Sequence, residues 1–199
     1  NRILTPQIQS SKLLNLLNVK YMVSFDEINS PDLVKVNQEG ITKTYENKKV
    51  LPRAFFVENV IPAPNKEEEY ATLLRPDFDL STKATAEGYS YGTQPSFAKA
   101  EVSNYSGSTL VINTESARFR PLVVTNINYP GWRAKIDGKE TKIFETDAIF
   151  QLVEVPQGKH SVEFKFAPQS FYNGLYLSVA GLLLTLGSTV FIWQRKYQS

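Results

Sequence analysis

The chain has 199 residues, with 22 lysines and arginines against 20 acids, a single histidine and no cysteine. The near-balance of charge gives no strong attraction to nucleic acid, and the missing thiols exclude disulfide frameworks, Cys-rich zinc sites and thiol nucleophiles. One histidine, His160, leaves little for metal ligation or a His-based triad, and no cofactor or metal is expected in this chain.

The opening, Asn1 rather than Met and without a leader pattern, reads as a piece of a longer protein. Residues 1–50 form a first region. In "PQIQSSKLLNLLNVKYMVSF", Ile8, Leu13, Leu14, Leu16 and Leu17 fit one face of a short helix, and 19–25 then reads as a strand. "LVKVNQEGITKTYENK" is two alternating runs around Glu39-Gly40, a hairpin signal.

A second region opens at "LPRAFFVENVIPAP". Ala54 to Ile61 is an apolar strand candidate, stopped by Pro62 and Pro64 and expected to pair with the sheet that follows. In "NKEEEYATLLR", Asn65 is an N-cap with Glu68 three residues on. The acids Glu67, Glu68 and Glu69 crowd the positive end of that helix, where dipole stabilisation explains them better than a metal site does. Asp77 and Asp79 in "RPDFDL" would point the same way from a strand, as paired carboxylates must, but exposed acids beside a turn explain them better.

Residues 97–168 read as β throughout. Seven short strands with turn residues between them, ending in "HSVEFKF" with Val162, Phe164 and Phe166 facing one way, predict an antiparallel, jelly-roll-like β-sandwich over 51–168. Tyr129-Pro130-Gly131-Trp132 carries proline where a type II turn fixes φ and glycine where the next φ is positive. Asp137-Gly138 suits a type I′ hairpin, and Gly158 before His160 marks a third corner. Turn geometry thus explains Pro130, Gly131, Asp137, Gly138 and Gly158. Trp132 reads as a core residue, and Tyr129 as a ring that either stacks on a sugar face or caps the sandwich. Both are the candidate ligand contacts. His160 is expected at the surface, since general-base chemistry needs a partner that the sequence does not nominate. "NYS" at 104–106 matches a glycosylation sequon, a short match that chance explains.

The end of the chain is the strongest signal. No charge falls between Lys165 and Arg195, and the 23 residues from Phe171 to Trp193 are mostly apolar. At about 1.5 Å per residue they span roughly 35 Å, enough for a hydrocarbon core of about 30 Å. Phe171, Tyr172 and Tyr176 stand at one end and Trp193 at the other, where interfacial aromatics belong. Gly174, Ser178, Gly181 and Thr185 are spaced to let another helix approach, although membrane helices are rich in small residues in any case. The span is therefore 169–195, with 196–199 as a tail. Arg195 and Lys196 favour a cytoplasmic C-terminus and an external β-domain.

The order of these pieces is more specific than any one of them. "LLNLLNVKYMVS", "LPRAFFVENV", "LLRPDFDL", "YPGWRAKIDGKETKIF", "FQLVEVPQGKHSVEFKFAPQSFYNGLYLS" and a terminal membrane helix together resemble the C-terminal part of the YfhO-like family of bacterial multi-spanning membrane proteins. The resemblance runs over nearly the whole chain and is densest at 120–178. Its members look like GT-C-type glycosyltransferases with an extracytoplasmic domain near the C-terminus, some glycosylating cell-envelope polymers from a polyprenyl-phosphate-linked sugar. The resemblance implies a domain in the bacterial cell membrane, mostly extracytoplasmic, whose partners are the bilayer, the parent's other membrane helices and a cell-envelope glycopolymer. The acid expected to act in catalysis lies in an early loop of that family, so no catalytic residue is carried over to this chain. A membrane-tethered carbohydrate-binding or adhesion module, or a purely structural domain, are the alternatives. Apolar spans upstream would separate the first reading from these.

Overall fold

The computed structural model describes residues 12–197. The chain is mainly β, with several antiparallel sheets, a small helical part and one long C-terminal helix. Ile8 of the expected first helix lies outside the described residues.

Two sheets form the sandwich. One has five antiparallel strands in the order β12 (Lys139–Thr141), β11 (Trp132–Ile136), β15 (Gly158–Phe166), β9 (Thr109–Ser116) and β8 (Ala98–Ser106). The other has β13 (Phe144–Thr146), β14 (Phe150–Val155), β10 (Arg120–Val124) and β4 (Ala54–Phe56). Alternation along each strand sends every second side chain inward. Leu110 and Ile112 of β9, Ala134 of β11 and Val162 and Phe164 of β15 thus meet Ala54, Leu122, Val124, Val153 and Val155 from the facing sheet. Each larger aliphatic or aromatic side chain withdrawn from water here contributes roughly 1.5–3 kcal/mol.

The four-stranded sheet is covered on both faces. Its strands β10 and β14 read as nearly continuous apolar runs rather than alternating ones, and they are buried almost without interruption. Val123, Phe150, Leu152 and Phe55 point away from the sandwich core, into a second core built with Val60, Leu73, Phe78, Leu80, Ala84 and Ala86. That third layer is a β-α-β unit. β5 (Asn59–Ala63) leads into α2 (Lys66–Leu74), which returns to β6 (Lys83–Glu87), parallel to β5, while β7 (Tyr91–Gly92) pairs on the other side. Asn65 caps α2 as its sequence suggests, its side chain accepting from the Glu68 N–H at 2.9 Å.

Three sequence expectations change. The strand expected over Ala54 to Ile61 is two strands in two sheets: β4 pairs with β10, whereas β5 belongs to the outer layer. At the break, Val57 N–H donates to Pro121 O and Glu58 N–H to Thr82 O, so the chain hands its hydrogen bonds from one sheet to the next. Pro62 does not stop β5, because β7 ends opposite Val60 and leaves that edge of β5 open. Residues 97–168 hold eight strands rather than seven, since "KETKIFET" crosses between the sandwich sheets at Lys142-Ile143.

The N-terminal strands β1 (Tyr21–Ser24), β2 (Leu33–Glu39) and β3 (Thr42–Asn47) form a separate antiparallel sheet, with Gly40 at φ 57 in the expected hairpin. The short α1 (Leu13–Leu16) joins it to the rest. Leu14 packs with Met22, Leu33 and Tyr45, while Leu16 enters the second core. Asn47 Nδ2 reaches Asn15 Oδ1 at 2.9 Å, and Lys12 Nζ donates to the carbonyls of Arg75 and Phe78.

The last element, α3 (Gln169–Tyr197), leaves the fold from the end of β15. Its 20-residue stretch Gln169–Ser188 is long and apolar enough to cross a membrane, and no part of it is buried against the protein.

Candidate functional site

The Tyr-Pro-Gly-Trp corner lies where β15 runs into α3. Trp132 N–H approaches Tyr129 O at 3.4 Å, and Gly131 takes φ 115, as the turn requires. A side chain here would also collide: a Cβ on Gly131 would sit 2.9 Å from Pro168 Cα and 3.1 Å from the Phe166 ring. Gly131 O accepts from Ala167 N–H at 2.8 Å. The corner is therefore fastened directly to the segment that enters the helix.

Beside it runs an open groove of about 540 Å³, lined by Tyr129, Trp132, Arg133, Glu140, Ile143 and Glu145 among others. Tyr129 and Trp132 are brought together around one ring, their centroids 6.4 and 5.3 Å from that of Phe166. They differ in exposure. Trp132 is half-buried and packs on the sandwich core, whereas Tyr129 is 64% exposed. Glu145, which the sequence reading missed, bonds Lys66 Nζ at 2.6 Å and accepts from Asn128 Nδ2 at 3.1 Å. Burial pushes its carboxyl up, but Lys66 and Asn128 outweigh this and hold its pKa below the ordinary value. An ionised, fully engaged carboxylate suits a binding rim better than a proton donor.

Asp137 and Gly138 form the expected left-handed turn, with φ 50 and 81, and Gly158 has φ 120. They come together with His160 at the opposite end of the sandwich from α3. The sequence expected a surface histidine without a nominated partner; Asp137 is that partner. His160 Nδ1 lies 2.6 Å from Asp137 Oδ2, and Nε2 faces Gln157 O at 3.2 Å. Both ring nitrogens face acceptors, which favours the doubly protonated ring, and the Asp137 carboxylate raises the His160 pKa. Held between two acceptors, the ring acts as a clamp on the hairpin.

Glu69 stands in the first turn of α2 as expected, but it has a further role. Its neighbours Glu67 and Glu68 remain at the exposed start of α2, but Glu69 is 2% exposed and turns inward. There it meets the β13–β14 turn, where Asp147 and Ala148 both take left-handed φ, 50 and 67. Glu69 Oε2 accepts from Ala148 N–H at 2.5 Å. Asp147 N–H donates to Thr85 O at 2.8 Å, and Thr85 N–H returns a bond to Asp147 Oδ1 at 2.8 Å. Burial pushes the Asp147 carboxyl up to about 7, with the Glu69 charge adding to it, and burial also raises Glu69. Asp between two strands was the only sequence sign of this turn, because Asp tolerates the left-handed region better than most residues.

Asp77 and Asp79 lie outside any strand and serve their own loop. Asp77 pairs with Arg75 at 3.0 Å, and Asp79 accepts from Ser81 and Thr82. Gly174, Ser178, Gly181 and Thr185 fall along one side of α3, and nothing lies within 4 Å of a Cβ built on either glycine. Among the described residues no group of three or more potential His, Cys, Asp or Glu ligands could hold a metal ion.

No curated protein and no solved structure gives a significant match to the chain. Residues 91–178, from β7 into the first turns of α3, match the model of the family described as bacterial membrane protein YfhO, and over that stretch the chain is similar to that family.

Proposed function

We propose that this chain is the extracytoplasmic C-terminal domain and last membrane anchor of a multi-spanning bacterial glycosyltransferase-like protein that modifies a cell-envelope polymer. The observation that carries this reading is the groove beside Tyr129, which opens at the same end of the sandwich from which α3 departs. A groove in that position can border the mouth of a membrane-embedded active site and meet a polymer there. The parent protein supplies the catalytic acid and the polyprenyl-phosphate-linked sugar, and this chain needs no cofactor of its own. Arg195 and Lys196 after the apolar span support a cytoplasmic C-terminus. The line of Gly174, Ser178, Gly181 and Thr185 fits close packing against another helix of the parent. Residues 1–50, 51–168, 169–195 and 196–199 are the working units in this reading.

Replacing Tyr129 by Ala in the parent protein tests it. Polymer glycosylation should fall while protein abundance stays constant, because the ring is exposed. Trp132→Ala should lower abundance as well, because that ring packs on the core. Unchanged glycosylation in Tyr129→Ala would remove the acceptor-contact role. The exposed Tyr129 ring also favours a second reading, a membrane-tethered carbohydrate-binding module, which predicts polymer binding by this chain without the rest of the parent.

A further inference from the structure

At the end of the sandwich nearest α3, several loops are tied into one rim. Phe166 N–H donates to Ser108 O in the β8–β9 turn, and Ala167 N–H to Gly131 O, both at 2.8 Å. Asn128 N–H donates to Ile149 O at 2.6 Å, joining the β13–β14 turn to the Tyr129 corner. This rim presents apolar side chains to solvent: Ile127 and Tyr129 are each 64% exposed, and Ile149 is exposed as well. One position in from the rim, Arg133 on β11 stands directly opposite Lys165 on β15. Both side chains are exposed, and neither side chain has an ion-pair or hydrogen-bond partner among the described residues. Like charges placed directly across a strand pair are destabilising, unless an anion is shared between them.

The rim is also close to where a bilayer would begin. Two residues, Ala167 and Pro168, separate Phe166 from α3, and the exposed Phe171 and Tyr172 lie in its first turn. Two extended residues and two helical steps span about 10 Å. If those aromatics sit at the headgroup level, the rim cannot stand clear of it. We propose that this rim is a bilayer-contact surface, with Ile127 and Ile149 in the interfacial layer of the leaflet that receives α3, Tyr129 at its edge beside the groove, and Arg133 and Lys165 on lipid phosphates. The proposal rests on the reading of α3 as a membrane span. Aromatic and aliphatic side chains flanked by cations are what that layer accepts. The contact would fix the tilt of the sandwich and hence the height of the groove above the membrane.

The absence of cysteine makes single-cysteine labelling clean. Full chains carrying Ile127→Cys, Tyr129→Cys, Gly181→Cys or Gln157→Cys would be labelled with an environment-sensitive fluorophore. They would be reconstituted into vesicles of phosphatidylcholine with or without phosphatidylglycerol, containing lipids spin-labelled either near the headgroup or along the chain. Labels at 127 and 129 should be quenched by headgroup spin labels several-fold more than the label at 157, at the far end of the sandwich. Anionic lipid should strengthen this, and the Arg133→Ser/Lys165→Ser double variant should remove the gain, on the order of fivefold for each cation. Quenching at 127 and 129 no greater than at 157, with chain-labelled lipid still quenching 181, would overturn the contact and leave the anchor intact. No quenching at 181 would overturn both. Indifference to phosphatidylglycerol, or cross-linking of Tyr129→Cys between two copies without lipid quenching, would likewise overturn the proposal.

Discussion

Replacing Asp147 by Asn should flatten a specific part of the pH dependence of folding. The carboxyl is 3% exposed, and its pKa is pushed from an ordinary 3.8 to about 7 by burial and by the Glu69 charge. A buried acid with a raised pKa binds its proton more tightly when folded. Its contribution is therefore complete below the unfolded pKa and is lost as pH rises toward the folded one. Between about pH 4.5 and 6.5 this group alone should cost about 1.4 kcal/mol per pH unit. The rise from 3.8 to about 7 corresponds to about 4 kcal/mol in all. Asparagine mimics the protonated acid, keeping Oδ1 for the Thr85 N–H while carrying no charge toward Glu69. Urea unfolding of the full chain in detergent, followed by fluorescence of Trp132 and compared with Asp147→Asn from pH 4.5 to 8, measures the difference directly. The variant should gain on the parent with rising pH. Parallel curves would refute the reasoning, because they would mean that the acid is charged in the fold throughout or titrates as it does unfolded.

Three further predictions concern corners of the fold. Gly131→Ala should destabilise the sandwich by at least about 2 kcal/mol, since it adds an atom 2.9 Å from Pro168 at φ 115; a thermal melt unchanged from the parent would contradict the geometry. Ala148→Gly should stabilise by about 1 kcal/mol, because Ala148 holds φ 67 without a glycine's freedom; denaturant midpoints read this. The NMR titration of the chain's one histidine should show a midpoint above 6.5, shifted back toward it in Asp137→Asn. The sign then follows: the His160–Asp137 clamp contributes fully below pH 6.5 and is lost as pH rises through the raised pKa. A midpoint at or below 6.5 would remove the clamp.

Where sequence and structure agree, the pattern was local. The Glu39-Gly40 hairpin, the Asn65 cap, the Asp137-Gly138 turn and the apolar α3 all declare themselves within a few residues, through φ preference, capping or composition. What the sequence hid was long-range. Nothing between Ala54 and Ile61 marks Val57-Glu58 as a change of sheet, because the partners Pro121 and Thr82 lie far along the chain. "KATAE" gives no strand signal by itself, yet its small residues let β6 lie close to α2 and the β13–β14 turn. Glu69 read only as one of three acids at the positive end of a helix for the same reason: its acceptor role depends on Ala148, 79 residues away. At the groove, Tyr129 and Trp132 were legible as aromatics at a corner, but Glu145 was not, since Lys66 and Asn128 reach it from other parts of the chain.

The tether leaves from β15, the middle strand of its five-stranded sheet, rather than from a margin. Tension drawn along β15 by the anchor would load the ladders to β11 and β9 together in shear. Pulling on an outer strand would open bonds one after another, like a zip; pulling on this one strains them in parallel. A domain hung in this way resists being unravelled by the surface to which it is fixed.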